Sequence, residues 1–320
     1  MDLRRITRPL HNADLLIIGF FALLSVINVL FHQRIPSWWV LVLINIGLIL
    51  FILGLAHARQ LVGSRLLRFL HEWYTPPVVF YTFKELYFMI KPIHCGHDYD
   101  DWLIAADRFL FGVDPTQWLL RLATPWLTEI LQIAYTLFYV LFLIVGYHIH
   151  ARGKTQLFLF YMFTIIYGFF LSYLGYFSLP AVGPRFTLHD FAALNTDLPG
   201  VWLTPYLRWF VNWGGSVPMG VPNELAIAGT QRDVFPSGHT MMTLVLMYLS
   251  RHWKLPSRHA IHVIGTLLIV ATVYQRYHYV VDLIGGAVFA AVCVLTARRL
   301  YEWINRTFDT IENRFPNGSL

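Results

Sequence analysis

The chain has 320 residues, a length that fits one large domain or two small ones. Hydrophobic residues make up 57% and charged residues only 13%, about half the charged share of a soluble domain, so an ordinary water-soluble enzyme is excluded. The net charge of +6 does not point to nucleic acid, because the basic residues sit in short connections between apolar runs, as membrane topology alone produces.

In chain order, apolar runs fall at about 13–31, 37–57, 128–150, 157–180, 258–278 and 280–300, each near the 20 residues a bilayer needs. The first lacks a small-residue cleavage site and a second follows at once, so it reads as a retained helix and not a signal peptide. Two shorter runs remain: 76–91, which carries Lys84 and Glu85, and 239–252, which lengthens if it starts at Pro236. If both cross, the chain has eight spans with both termini in the cytoplasm. The cytoplasmic side then holds 15 of the 24 basic residues and the far side eight, with Lys84 inside the membrane. That bias obeys the positive-inside rule, and dropping 76–91 would put a basic loop on the wrong side. The expected fold is an all-α, multi-pass membrane helix bundle.

Between the spans, Trp102, Ala105, Ala106, Phe109 and Leu110 recur at helical spacing opposite Asp100, Asp101, Asp107 and Arg108. The segment 98–125 therefore reads as an amphipathic helix on the membrane surface. The loop 181–238 is rich in Gly, Pro and Asn, a setting in which sites tend to lie. Residues 301–320 read as a polar cytoplasmic tail. Cys95 and Cys293 define no disulfide framework, and His94 and His97 beside Cys95 complete no ligand set, so no metal site is expected.

Two short segments carry chemistry. Phe235-Pro236-Ser237-Gly238-His239 stands at the mouth of the sixth span; proline suits a first helical turn, and free N–H groups at a helix start attract anions. In Tyr277-His278-Tyr279-Val280-Val281-Asp282, the spacing i, i+4 places His278 and Asp282 on one helix face, where a carboxylate can orient an imidazole for attack. An ordinary helix cap and a structural His–Asp pair are the bland alternatives. In the eight-span topology, however, both segments reach the same, non-cytoplasmic face, and ionisable groups at membrane depth usually mark a site.

The PSGH segment followed by H-x-x-x-D resembles the type 2 phosphatidic acid phosphatase (PAP2) superfamily, over roughly residues 76–300. The resemblance implies a six-helix core with residues 1–75 as a two-helix addition, no cofactor or metal, and a phosphohistidine intermediate. It implies His278 as nucleophile, Asp282 as its partner, His239 as the acid on the leaving oxygen, and phosphate binding by Ser237 and the Gly238 backbone. The chain departs from the commonest pattern at two cations: Thr272 stands where the third motif usually has Arg, and Ser178 where the first motif has Lys. Arg185, in Gly183-Pro184-Arg185, is the best replacement and Arg276 the next, with Arg232 and Lys91 behind.

These departures, with TVYQRYHYVVDLIGG and the two extra helices, are similar to the inositolphosphotransferase branch, which includes inositol phosphorylceramide synthase. The partners this implies are membrane lipids, a lipid phosphate or phospholipid donor with water, a lipid alcohol or a polyol as acceptor. A lipid transporter or scaffold retaining a relic site is the competing class, motivated by the missing cations.

Overall fold

The computed structural model describes residues 6–218 and 220–314, and these are helical with no strand among them. Helices α1 (Asn12–Leu30), α2 (Trp38–Val62), α3 (Arg65–Trp73) and α4 (Thr75–Ile93) come first. Next are α5 (Asp100–Phe111), α6 (Pro125–Thr136), α7 (Phe138–Ala151) and α8 (Thr155–Tyr176). A long connection carries α9 (Thr204–Gly214), and α10 (Gly238–His252), α11 (Arg258–Tyr274) and α12 (Val280–Thr307) close the chain.

Among the described residues, α1, α2, α8 and α12 are each long and apolar enough to cross a membrane; α6 and α7, bent by 48°, form a fifth span if taken together. These fall on the runs expected at 13–31, 37–57, 157–180, 280–300 and 128–150. The protein is therefore a helical bundle fitted to a bilayer. Its outer helices show it: Leu43, Leu50 and Phe51 of α2 are exposed, a cost in water and none in lipid. The run expected at 258–278 ends earlier, because α11 stops at Tyr274. Helices also form over both shorter runs, as α4 and α10.

The chain divides into two compact units. The first comprises Met1–Cys95, Val145–Phe170 and Val292–Leu320. Polar side chains pin its helices together. Asp14, buried in the first turn of α1, accepts from His71 Nε2 at 2.8 Å, Tyr74 Oη at 2.6 Å and the His11 amide at 2.7 Å. In α4, Glu85 turns inward and accepts from Asn45 at 2.8 Å and Asn28 at 3.4 Å, while the Lys84 ammonium lies 5.4 Å from the Phe80 ring centre. Residues 301–314 are not a free tail. Helix α12 runs on to Thr307, the Ile311 amide donates to the Leu10 carbonyl, and Glu312 accepts from the Asn12 amide. Buried Tyr301, Ile304 and Ile311 explain the return: their burial offsets the cost of ordering the segment.

The second unit comprises Gly96–Ile144 and Leu171–Ala291. Its core includes Leu131 and Tyr135 of α6, Val211 of α9, Ala271 and Tyr274 of α11, and Tyr277. Glu129 of α6 holds the start of α9, accepting from the Val201 amide at 2.8 Å and the Thr204 hydroxyl at 2.7 Å. The segment expected as an amphipathic helix contains α5, and its sidedness is informative. Trp102 and Phe109 are exposed at 64% and 88%, while Asp100 and Asp107 are buried. Trp102 and Phe109 point out, as lipid contact requires, and Asp100 and Asp107 point into the unit with Leu103, while Asp101 and Arg108 stay exposed.

Candidate active site

The side chains of the candidate site all lie in the second unit. Ser237 caps α10: its Oγ accepts from the Thr240 amide at 3.2 Å, an interaction worth about 1 kcal/mol. The Ser237 amide donates to the Asp282 carbonyl at 3.0 Å, which ties the start of α10 to the first turn of α12. Gly238 permits close packing here, since a Cβ at this position would meet the Tyr176 hydroxyl and Ser172 Oγ. The Gly238 and His239 amides stand in the first turn of α10, at the positive end of a helix, which suits an anion.

His239, in the first turn of α10, is held between aromatic rings. Tyr135 stacks on it at 4.5 Å between centroids and Phe138 lies at 4.3 Å. Its Nδ1 is 3.5 Å from the Tyr135 hydroxyl, and its buried Nε2 has no hydrogen-bond partner. A buried, unused ring nitrogen costs free energy unless something else occupies that position.

His278 sits in the connection between α11 and α12, not on a helix. The Tyr277 and His278 amides both turn back to the Thr272 carbonyl, at 2.9 and 3.0 Å, and Arg276 takes a left-handed φ of 65°. Thr272, where the resemblance would have Arg, thus contributes its backbone to this turn. His278 Nδ1 is 2.9 Å from the Val234 carbonyl oxygen and 3.5 Å from Asp282 Oδ2. A carbonyl can only accept, so Nδ1 carries the proton and Nε2 the lone pair, a tautomer assigned from the bonding network. Burial pushes the His278 pKa down to about 4, with Asp233 and the Val234 carbonyl pulling the other way. The imidazole is neutral at pH 7. The His239 and His278 ring centres are 5.9 Å apart.

Asp282 lies beside His278 as the i, i+4 spacing suggests, its Oδ2 3.5 Å from Nδ1, but it also has a second task. Its Oδ2 accepts from the Tyr279 amide at 2.8 Å, its Oδ1 has no partner, and the side chain is fully buried. The carboxylate caps its own helix and lies beside the imidazole.

Two acids that sequence reasoning assigned only to a polar helix face organise the site. Asp100 accepts from the Val182 and Gly183 amides at 3.0 and 2.8 Å and from the Tyr279 hydroxyl at 2.8 Å. Asp107 accepts from the Val280 and Val281 amides at 2.9 and 2.8 Å, at the start of α12. Burial raises the pKa of both, against backbone donors that favour the charged form. Asp100 therefore fixes the loop before Arg185, and Asp107 fixes the helix after His278. Their spacing of seven, which puts both on one helix face, was the available signal.

Of the expected phosphate-binding cations, the structure brings Arg185 to the histidines and turns Arg276 elsewhere. The Arg185 amide donates to the Arg276 carbonyl at 3.0 Å, and Gly183, at a φ of 96°, leaves no room for a Cβ against the Tyr277 carbonyl. The Arg185 guanidinium lies 5.2 Å from the Tyr277 ring centre and donates to Asn212 Oδ1 at 3.1 Å and Thr230 Oγ1 at 3.4 Å. No carboxylate pairs with it among the described residues, its Nε is unpartnered, and its charge acts on both His239 and His278. Arg276 is buried and ion-paired with Asp197 at 2.8 Å. Arg232 is buried too, with a bidentate pair to Asp98 at 3.0 Å on each side. Ser178, at the other missing-cation position, donates to the Gly175 carbonyl.

The PAP2 superfamily model matches residues 101–296. The chain belongs to the PAP2 superfamily. The match is narrower than the 76–300 expected and takes in every residue just described except Asp98 and Asp100. No curated protein and no solved structure matches the chain. PAP2 membership points to phosphatase-type chemistry on phosphate esters, and so to an enzyme.

Proposed function

We propose that the chain is a membrane-embedded PAP2 enzyme that takes a phosphoryl group from a lipid phosphate or phospholipid onto His278 and passes it to water or to a lipid alcohol or polyol. The observation that carries this reading is the 2.9 Å contact between His278 Nδ1 and the Val234 carbonyl, which keeps the proton on Nδ1 and leaves Nε2 with the lone pair for attack. In the first step Nε2 forms the N–P bond as the ester P–O bond breaks. The leaving oxygen keeps the electron pair and takes a proton from His239, whose imidazolium form is favoured by the bound phosphate. In the second step the acceptor hydroxyl attacks phosphorus, gives its proton to His239, and the N–P pair returns to His278. Arg185 and the Gly238 and His239 amides stabilise the charge spreading over the equatorial oxygens. Ser237 supports this by holding the helix start.

Transfer to an organic acceptor is favoured over plain hydrolysis by Thr272 and Ser178, which leave Arg185 as the main cation and fit the inositolphosphotransferase-like branch. The test is a panel of lipid phosphates and phospholipid donors, each with and without acceptor. Product that appears only with a second lipid or polyol supports transfer. Inorganic phosphate released from a lipid phosphate alone identifies a phosphatase. Binding without turnover in every arm favours a transporter or scaffold and overturns the enzyme reading.

Asp282 has a specific expectation. In a triad whose carboxylate alone sets the imidazole tautomer, replacing it by the amide costs about 10⁴-fold in kcat. Here Val234 sets it, so Asp282→Asn is expected to lower kcat by only about 10- to 100-fold, relative to that benchmark. A loss as large as that of His278→Ala would assign Asp282 the orienting role.

We also propose eight spans with both termini cytoplasmic and the 177–237 connection on the opposite face, supported by the distribution of basic residues. Thr196→Cys in a Cys95→Ser background should react with an impermeant thiol reagent from the non-cytoplasmic side. Reaction from the cytoplasmic side alone would reverse the orientation.

A further inference from the structure

Within the first unit, a cavity of about 640 Å³ opens where α2 ends and α3 begins. Arg59, Arg65 and Arg68 line it, with Gln60, Ser64 and Glu72. Arg59 is fixed in place, its Nη1 bonded to His11 Nε2 at 3.1 Å and His71 Nδ1 at 3.3 Å. Glu72 lies 3.6 Å from His150 Nδ1. Neither Arg65 nor Arg68 forms an ion pair among the described residues. Three arginines line the cavity with one carboxylate, Glu72; Asp14 and Glu312 also act on Arg59, which leaves Arg65 and Arg68 as like charges that a bound anion would relieve.

Helix α3 sets the depth of this cavity. Leu66, Phe69 and Leu70, at i, i+3 and i+4, are exposed at 64%, 52% and 44%; Arg65, Arg68 and Glu72 border the cavity, with Phe69 at its edge. His71 anchors the helix through Asp14. A short helix with an exposed apolar stripe and a basic polar face, directly following a membrane-capable helix, lies in the lipid interface. Its arginines are then at headgroup level. The turn is rigid: Gly63 ends α2 at a φ of 65°, and Ser64 Oγ caps α3 by accepting from the Leu66 amide. Leu61 and Val62, both strongly exposed, continue the apolar rim.

We propose that this cavity binds the phosphate-bearing headgroup of an anionic membrane lipid, with Arg59, Arg65 and Arg68 around the phosphate and the acyl chains along Leu66, Phe69 and Leu70. Arginines match phosphate geometry with paired N–H donors, and the apolar rim selects a lipid over a soluble phosphate. All the lining residues belong to the first unit, and the proposal does not depend on the chemistry assigned to His278.

The test uses the full-length protein in phosphatidylcholine nanodiscs doped with a photoactivatable phosphatidylinositol phosphate, with labelled peptides mapped by mass spectrometry. Labelling is expected within residues 59–72, unchanged in His278→Ala, and reduced roughly tenfold or more in Arg65→Gln/Arg68→Gln, since each surface arginine contributes substantially to anionic-lipid attraction. Both arginines are exposed, and an unchanged Tm verifies that the double variant folds. Unlabelled short-chain phosphatidylinositol phosphate should compete, and millimolar inorganic phosphate should not. Equal labelling of the wild type and the double variant, or labelling confined to other segments, overturns the site. Competition by inorganic phosphate as strong as by the lipid overturns the lipid assignment.

Discussion

Alanine in place of His278 is expected to lower kcat by about 10⁴-fold or more, as removing a covalent nucleophile does elsewhere. The protein should remain folded. His278 contributes one hydrogen bond, to the Val234 carbonyl, and the turn that carries it is closed by backbone bonds to Thr272. Turnover and thermal melting measured on the same preparation separate the two effects. Full activity in a folded His278→Ala protein would remove the nucleophile from the account, and with it the two-step mechanism.

The second large effect is expected at Arg185. Removing the main donor to a developing oxyanion typically costs about 10²- to 10³-fold in kcat, and Arg185→Ala is expected to fall in that range. Arg185→Lys should recover little of it. The guanidinium is gripped by Asn212 and Thr230 and lies over Tyr277, a geometry that a single ammonium cannot reproduce. Arg276→Ala is the informative contrast. Its guanidinium is paired with Asp197, so its loss should appear mainly in melting temperature, with less than about a tenfold effect on kcat. Equal losses of kcat at the two positions would contradict the assignment of Arg185 as the phosphate cation.

Much of this architecture can be read from the chain because lipid imposes simple rules. Apolar runs near 20 residues became α1, α2, α8 and α12, since a backbone in hydrocarbon must satisfy its own hydrogen bonds. The PSGH and HxxxD segments marked the histidines because ionisable residues at membrane depth are rare and costly. What sequence reasoning missed depends on backbone geometry. The i, i+4 rule put His278 and Asp282 on one helix face, but the chain turns back to Thr272 before α12 begins, and a carbonyl far away in sequence, Val234, accepts the hydrogen bond from the imidazole Nδ1–H. Asp100 and Asp107 read as the wet face of a surface helix. In lipid the apolar side of that helix faces out, and the two acids turn inward to hold the backbone amides of the loop and helix start around the site. Helix α3 is nine residues long, too short to declare itself between two apolar runs. The cations were ambiguous for a different reason: Arg185, Arg232 and Arg276 look alike in a sequence, and only their partners separate a guanidinium held by neutral groups from one paired with a carboxylate.

The central claim is the covalent intermediate on His278. The most direct test is to mix the protein with a radiolabelled lipid phosphate or phospholipid donor, withhold any organic acceptor, quench in alkali within milliseconds to seconds, and map the label. Phosphohistidine survives alkali and is lost in acid, so its chemistry identifies it. The expected result is alkali-stable, acid-labile label on the peptide containing His278, absent from His278→Ala. Turnover of the same donor with no label at any time point, or label on another residue, would contradict the account.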